Sequence, residues 1–319
     1  MTDAQALAAA QAALAHWGVS MAPRLIKNRE NIVFDAQGPD GQRAALRLHR
    51  PGYQSDNAIR SELWWAEALG AAGMVVPQPI RTASGDVLAT GGALVASLVT
   101  WLEGKPLGES GIPLAMPAHE QEVLHTALGA ELARLHVASD AMTPPDAFAR
   151  EILDLEALLG ESPAWGQFWK NPSLSDQDRD LLLACRQRLL GVIGAHARSG
   201  GDFGLIHADA LRENVLVQSG GVRLIDFDDG VFGFRLYELG VAMSQNWDQP
   251  NETALGAALL AGYESERGLP ENAADLLEAF TVMRALASCG WVIGRYHDDH
   301  PAVREYAKRA VFMARRLLR

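Results

Sequence analysis

The sequence predicts an α+β chain organised as two lobes, a small antiparallel β lobe with one helix and a larger lobe that is mainly helical. Three observations carry the prediction. Short strand-like segments separated by Gly, Pro and Asp turns are concentrated before residue 100. Apolar residues at helical spacing fill most of the chain after residue 107. The chain has 319 residues, 48% of them hydrophobic, enough to bury a substantial core and to favour two folding units over one. We place the β-rich lobe at 1–100, a hinge at 101–106 and the helical lobe at 107–319.

Residues 1–17 are alanine-rich and contain Asp3 but no Lys or Arg, so they read as a helix and not as a signal peptide. Segments 24–34 and 43–49 read as two antiparallel strands across the punctuation Gly38, Pro39, Asp40 and Gly41. Ser55, Asp56 or Asn57 caps a helix running to Ala71, with Leu63, Trp64, Ala68 and Leu69 at helical spacing. Pro77 and Pro79 end that pattern, and strands follow at 85–89 and 93–100 before the hinge. Beyond it, 120–137, 176–197, 252–267, 271–294 and 302–318 read as helices. The pattern breaks at 205–229, where apolar runs at 215–217 and 222–225 flank Ser219, Gly220 and Gly221 and predict one more hairpin.

A net charge of -11 argues against nucleic acid and anionic membrane as partners and favours steering of a cationic small molecule. No apolar stretch approaches the ~20 residues of a membrane-spanning helix. Cys185 and Cys289 each sit in an apolar, helix-like stretch, which fits reduced thiols and a cytoplasmic setting. No oligomeric seam is legible.

The chemistry concentrates in His207-Ala208-Asp209-Ala210-Leu211-Arg212-Glu213-Asn214, followed by a hairpin and then Ile225-Asp226-Phe227. Phosphoryl transfer needs a carboxylate beside the attacking hydroxyl, and an amide oxygen with a second carboxylate to hold Mg2+ on a triphosphate. Asp209, Asn214 and Asp226 supply those types in that order. The bland reading is a polar turn in which Asp and Asn cap themselves.

These motifs resemble those of the aminoglycoside phosphotransferase family, the branch of the kinase-like fold that includes choline kinases and bacterial homoserine kinases. The resemblance covers nearly the whole chain and implies a bilobal protein-kinase-like fold, with ATP and Mg2+ as cofactors. It implies Asp209 as catalytic base, Asn214 and Asp226 as metal ligands, and His207 as a brace of the loop. Ala208 stands where a glycine is common, and Leu211-Arg212 where His-Pro is common. Arg212 adds a cation that either meets the γ-phosphate or pairs with Glu213 or another acid. Tyr237-Glu238-Leu239 resembles the family's Asp-Leu pair, so Glu238 is expected to brace the loop.

In the small lobe, Ala45-Leu46-Arg47-Leu48 resembles the strand that carries the phosphate-contacting cation. The chain's lysines, Lys27, Lys105, Lys170 and Lys308, all lie elsewhere, so Arg47 takes that place, with Glu62 as its partner from the following helix. The alternatives are a solvated strand Arg and a Glu favoured by the helix dipole. No glycine-rich loop occupies the first turn. Asn28-Arg29-Glu30-Asn31 stands there, and Asn28 and Asn31 either offer side-chain donors to phosphate or simply tolerate a tight turn. Main-chain groups of 97–102, including Ser97 and Val99, are expected to meet adenine.

For the acceptor, Asp228 and Asp229 either hold an amine, extend the metal shell or form a solvated turn. Trp165, Phe168 and Trp169 fit helix packing better than a cation-binding cap. His297-Asp298-Asp299-His300 fits a polar turn better than a metal site. The acceptor reads as a small hydroxyl compound, such as the amino alcohols homoserine or choline. An aminoglycoside, a protein serine, and a nucleotide-binding pseudokinase scaffold are the alternatives.

Overall fold

The computed structural model describes residues 1–28, 31–218 and 221–319, so Arg29 and Glu30 of the first turn and Ser219 and Gly220 of the later hairpin lie outside the described residues. The chain divides into two units, Met1–Gly104 with Ala141–Arg150, and Lys105–Asp140 with Glu151–Arg319. The excursion of 141–150 into the first unit departs from the sequence expectation of an uninterrupted helical lobe after the hinge.

The first unit contains α1 (Asp3–Leu14), β1 (Arg24–Asn28), β2 (Ile32–Gln37), β3 (Arg43–His49), α2 (Asp56–Ala71), β4 (Leu88–Gly91) and β5 (Leu94–Thr100). All five strands form one antiparallel sheet in the order β1-β2-β3-β5-β4. The segment read as one strand at 24–34 is two strands, β1 and β2, paired with each other. Thr2 and Gln5 form a capping box at the start of α1. Ser55 caps α2 by accepting from the Ala58 amide.

Side chains alternate across a strand, so the two sheet faces carry different sequences. Phe34, Leu46, Leu48, Ala96 and Leu98 bury against Ala6, Ala10, Ala13 and Leu14 of α1. Ile59 and Leu63 of α2 bury with Val87, Leu88 and Val99, and Ala45 and Val95 pack on the same cluster. Arg47 and His49 therefore point towards the α2 face of β3, one residue out of phase with Leu46 and Leu48. The 141–150 segment flanks α2: Phe148 meets Trp64 edge-on at 5.4 Å, and the Ala149 amide donates to Ser61 Oγ at 2.8 Å.

The second unit contains β6 (Lys105–Pro106), α3 (Ala118–Asp140), β7 (Ile152–Leu153), α4 (Leu155–Leu159), α5 (Asp176–Arg198) and β8 (Phe203–Ile206). It continues with β9 (Val215–Gln218), β10 (Gly221–Leu224), β11 (Val231–Phe234), α6 (Arg235–Met243), α7 (Glu252–Glu264), α8 (Ala273–Trp291) and α9 (Pro301–Leu317). None of its described helices, nor those of the first unit, is long and apolar enough to cross a membrane.

Two small sheets, β10-β9-β6 and β7-β11-β8, lie among these helices. Helices α3 and α7 approach backbone to backbone: a Cβ on Gly262 would lie 1.9 Å from the Thr126 carbonyl oxygen, and one on Gly129 would lie 2.0 Å from that of Leu259. Only glycine fits at either position. Phe168 and Trp169 are buried, with Arg186 of α5 over the Trp169 ring, so this aromatic cluster packs helices. His300 caps α9 through its ring nitrogen, and His297 lies 3.7 Å from Asp299 in an exposed turn.

Candidate active site

Strand register brings the two halves of the motif together. Val231 of β11 lies opposite Ile206 of β8, so the chain entering β11 passes beside the chain leaving β8. Val215 lies opposite Leu224 in the β9-β10 hairpin, and the Ile225 amide donates to the Asn214 carbonyl at 3.0 Å. The 207–214 loop thus leaves β8 beside the point where the 225–230 loop enters β11, and enters β9 beside the point where that loop leaves β10.

The first loop is clamped from below. Glu238, fully buried in α6, accepts from the main-chain amides of His207 and Ala208. Burial pushes its carboxyl up, opposed by His207 and by those two amides. His207 bridges the loops: its Nε2 donates to the Ile225 carbonyl at 3.0 Å and its Nδ1 accepts from the Asp209 amide at 3.2 Å. These partners fix the tautomer, with the ring proton on Nε2. The His207 ring also packs against Phe227. Two residues hold left-handed backbone without being glycine, Ala208 at φ 63° and Asp226 at φ 68°. Ala208 is where the sequence departs from a common glycine, and its conformation gives the reason glycine suits that position.

Asp209 is held on both carboxylate oxygens. Asn214 Nδ2 donates to Asp209 Oδ2 at 2.8 Å and to the Asp209 carbonyl at 2.9 Å, while Arg284 Nη2 donates to Oδ1 at 2.9 Å. Burial raises the Asp209 pKa to about 6; Arg284 opposes the shift, and Asp226, Glu213 and Glu238 add to it. With Nδ2 committed, Asn214 is left with its Oδ1 for an external cation. That amide oxygen and the Asp226 carboxylate are hard oxygen donors, the set that suits Mg2+. Asp228 is buried beside them in the short 3-10 turn that follows Asp226, and the charge of Asp229 acts on Arg284.

The cation at Asp209 is Arg284, which the sequence reading missed. Arg212 is turned away, its guanidinium donating to the Ile112 carbonyl at 2.8 Å and to Asn246 Oδ1 at 2.6 Å. Glu213 accepts instead from the Ser110 amide and from Gln245. Arg212 thus braces the loop, and its guanidinium hydrogen-bonds to neither Glu213 nor Asp209. A signal for Arg284 existed: it is the lone charged residue between Glu278 and Arg295 in an apolar helix.

In the first unit, Arg47 donates through both terminal nitrogens to Glu62 Oε1, at 2.6 and 2.5 Å, and both side chains are buried. Glu62 sits in the second turn of α2, early in the helix as expected. His49 meets Ser97 Oγ at 2.9 Å on the same sheet face, and burial pushes its pKa down to about 3. Ser97 pairs with Arg47 on one side and Leu88 on the other, and Val99 with Ala45 and Pro79. Both residues thus lie in the interior of the sheet, paired on either side. Asn28 donates to Asp3 Oδ1 at 2.9 Å, which ties β1 to α1 and engages the amide expected for phosphate. Asn31 is half-buried at the start of β2.

Residues 23–286 match the model of the phosphotransferase enzyme family. The chain is 30% identical over 243 residues to a homoserine kinase of Neisseria meningitidis serogroup B, covering 73% of this chain and 69% of that one. A microcompartment-associated aminopropanol kinase superposes with a TM-score of 0.81 at 28% identity, over 99% of this chain and 96% of that one. A choline/ethanolamine kinase family protein from Mesorhizobium loti superposes with a TM-score of 0.67 over 100% and 95% of the two chains; at 18% identity this is a likeness of fold.

Proposed function

Because the chain belongs to the phosphotransferase enzyme family and so acts on small-molecule alcohols, we propose that it transfers the γ-phosphoryl group of ATP to the hydroxyl of a small amino alcohol. The observation that carries this reading is the double anchoring of Asp209 by Asn214 and Arg284, which fixes a carboxylate whose pKa is about 6.

Asp209 orients the acceptor hydroxyl and takes its proton as the new oxygen-phosphorus bond forms and ADP departs. Phosphoryl transfer is loose, so alignment and charge neutralisation account for most of the rate. Asn214 Oδ1 and Asp226 would hold Mg2+, which supplies neutralisation of phosphate charge when bound. Arg47, oriented by Glu62, is the cation assigned to phosphate oxygens, and main-chain groups of 97–102 are assigned to adenine. Asp228 and Asp229 are assigned to the acceptor amine.

The test is ADP release against a panel of amino alcohols, aminoglycosides and sugars, with and without Mg2+. Turnover confined to a small amino alcohol and dependent on Mg2+ is expected. Turnover on an aminoglycoside alone refutes the acceptor assignment, and no ADP release with any acceptor refutes the kinase reading.

A further inference from the structure

Residues 141–150 belong to the first unit, although the chain before and after them belongs to the second. Pro144 and Pro145 narrow the backbone of this segment, so it loses less chain entropy on docking. A turn in which the Phe148 amide donates to the Pro145 carbonyl at 2.8 Å closes just before the contact with α2. Phe148 then meets Trp64 edge-on, the Ala149 amide donates to Ser61 Oγ at 2.8 Å, and Arg150 Nη1 donates to the Ala58 carbonyl at 3.2 Å. Three successive residues thus engage Ala58, Ser61 and Trp64, which recur at every third position along one side of the helix.

This flank of α2 is not close-packed. A groove of about 240 Å³ runs along it, lined among others by Ser61, Trp64, Val87, Pro145, Ala147 and Phe148. Arg60 and Arg81 at the same groove pair with Asp86 and Glu67, but both arginines are exposed, and ion pairs of that kind hold little in water. The Ser61 hydroxyl is different. It is buried, donates to the Asn57 carbonyl at 2.6 Å and accepts from Ala149, so it joins the helix to the segment. Ser61 stands next to Glu62, whose Oε1 accepts from both terminal nitrogens of Arg47 at 2.6 and 2.5 Å. Hydrogen bonds of that length tolerate little displacement of the helix.

We propose that residues 148–150 set the position of α2, so that Phe148, Trp64 and Ser61 are positioning residues for the Arg47-Glu62 pair and, through it, for ATP. The proposal rests on the assignment of Arg47 to phosphate in the kinase reading above. The route is short: the segment grips one side of a helical turn, and the residue next to its hydrogen bond is the partner of Arg47. A packed helix transmits a shift along its length instead of absorbing it. Because Arg47 is assigned to the nucleotide and Asp209 to the acceptor, loss of this grip should register in ATP binding and leave the KM for the acceptor unchanged.

The experiment measures the Kd of ATP with Mg2+ by calorimetry, without acceptor, for the full chain, Phe148→Ala, Arg47→Gln and the double variant. Melting temperature is followed in parallel, as is the KM of whichever amino alcohol supports ADP release. Phe148→Ala is expected to weaken ATP binding by roughly twofold to thirtyfold, the range in which residues away from a ligand modulate its affinity. Phe148→Leu, which restores apolar bulk, should recover part of the loss. In the Arg47→Gln background Phe148→Ala should add little, because residues that act through one pair are not additive. Full additivity overturns the proposal, and so does a Phe148→Ala variant that melts lower but binds ATP as the parent does. Unchanged ATP affinity in Arg47→Gln refutes the phosphate assignment itself; weakened affinity there beside an unaffected Phe148→Ala sinks the positioning role alone. Ser61→Ala, which removes a hydroxyl and little volume, gives the same comparison if Phe148→Ala does not fold.

Discussion

One amide nitrogen of Asn214 donates to two oxygens of Asp209, the main-chain carbonyl at 2.9 Å and carboxylate Oδ2 at 2.8 Å. The five-residue spacing between them is therefore a closed ring of contacts that aims the carboxylate and turns the amide oxygen outward. Asp209→Asn should lower kcat by a factor on the order of a hundred or more, the scale of a positioned general base. ATP affinity by calorimetry should change little. Asn214→Ala should instead raise the Mg2+ concentration needed for half-maximal rate, read from a metal titration of the rate.

The Asp209 carboxyl, raised to about 6, sets two pH dependences of opposite sign. A raised carboxyl pKa favours the protonated form in the fold, so its contribution to stability is full below the ordinary carboxylate range and is lost as pH rises through about 6. The rate needs the ionised form and should fall as pH drops, with a bound cation moving that limb lower still. Arg284→Gln removes the cation that holds the pKa down, so the acidic limb of the kcat/KM profile should move to higher pH. An unmoved limb with reduced kcat would make Arg284 a packing residue only.

Glu62→Ala removes the oxygen that accepts from both terminal nitrogens of the buried Arg47 guanidinium, and loss of one partner of a buried ion pair costs about 3–5 kcal/mol. Urea unfolding should show it as a lower midpoint, with KM for ATP rising as well. Glu62→Gln, which keeps an acceptor oxygen, should lose less on both counts.

Ala208 holds φ 63° with its amide fixed on Glu238. A left-handed alanine costs about 1–2 kcal/mol, and glycine relieves it at some entropic cost in the unfolded chain. Ala208→Gly should leave the melting temperature unchanged or raise it. Ala208→Val should lower it clearly, because a β-branched residue fits that region worst.

Gly262→Ala should force α3 and α7 apart and lower stability by about 1–3 kcal/mol, the cost of overpacking a close contact. Gly191→Ala in α5 is the matched control: a Cβ there meets nothing within 4 Å, and the change should stabilise by up to about 1 kcal/mol. Calorimetric melting of both variants reads the difference.

Local patterns made much of this molecule legible. The Arg47-Glu62 pair was expected from the resemblance of 45–48 to the strand that carries the phosphate-contacting cation, and the loop from His207 to Asn214 is self-contained in sequence. The α+β composition followed from where turn residues and helical periodicity fall. What escaped notice depends on distant chain. The β7-β11-β8 sheet is built from strands of two to four residues, too short to show a period. Helix α6 is buried on every side, so it shows no polar stripe. For Arg212, close to Asp209 in sequence, the sequence leaves open a contact with the γ-phosphate or a pairing with Glu213 or another acid, whereas the hydrogen bonds of its side chain go to Ile112 and Asn246.

The chain leaves its first unit at Gly104 and returns for Ala141–Arg150 before leaving again. On a ribosome, the five strands and both helices of that unit therefore emerge well before the piece that covers Trp64 and binds Ser61. A nascent chain stopped at residue 104 should show a loosened flank along α2, and one extended through residue 150 should close it, which makes the emergence of the segment after α3 the point in synthesis at which the unit becomes resistant to protease.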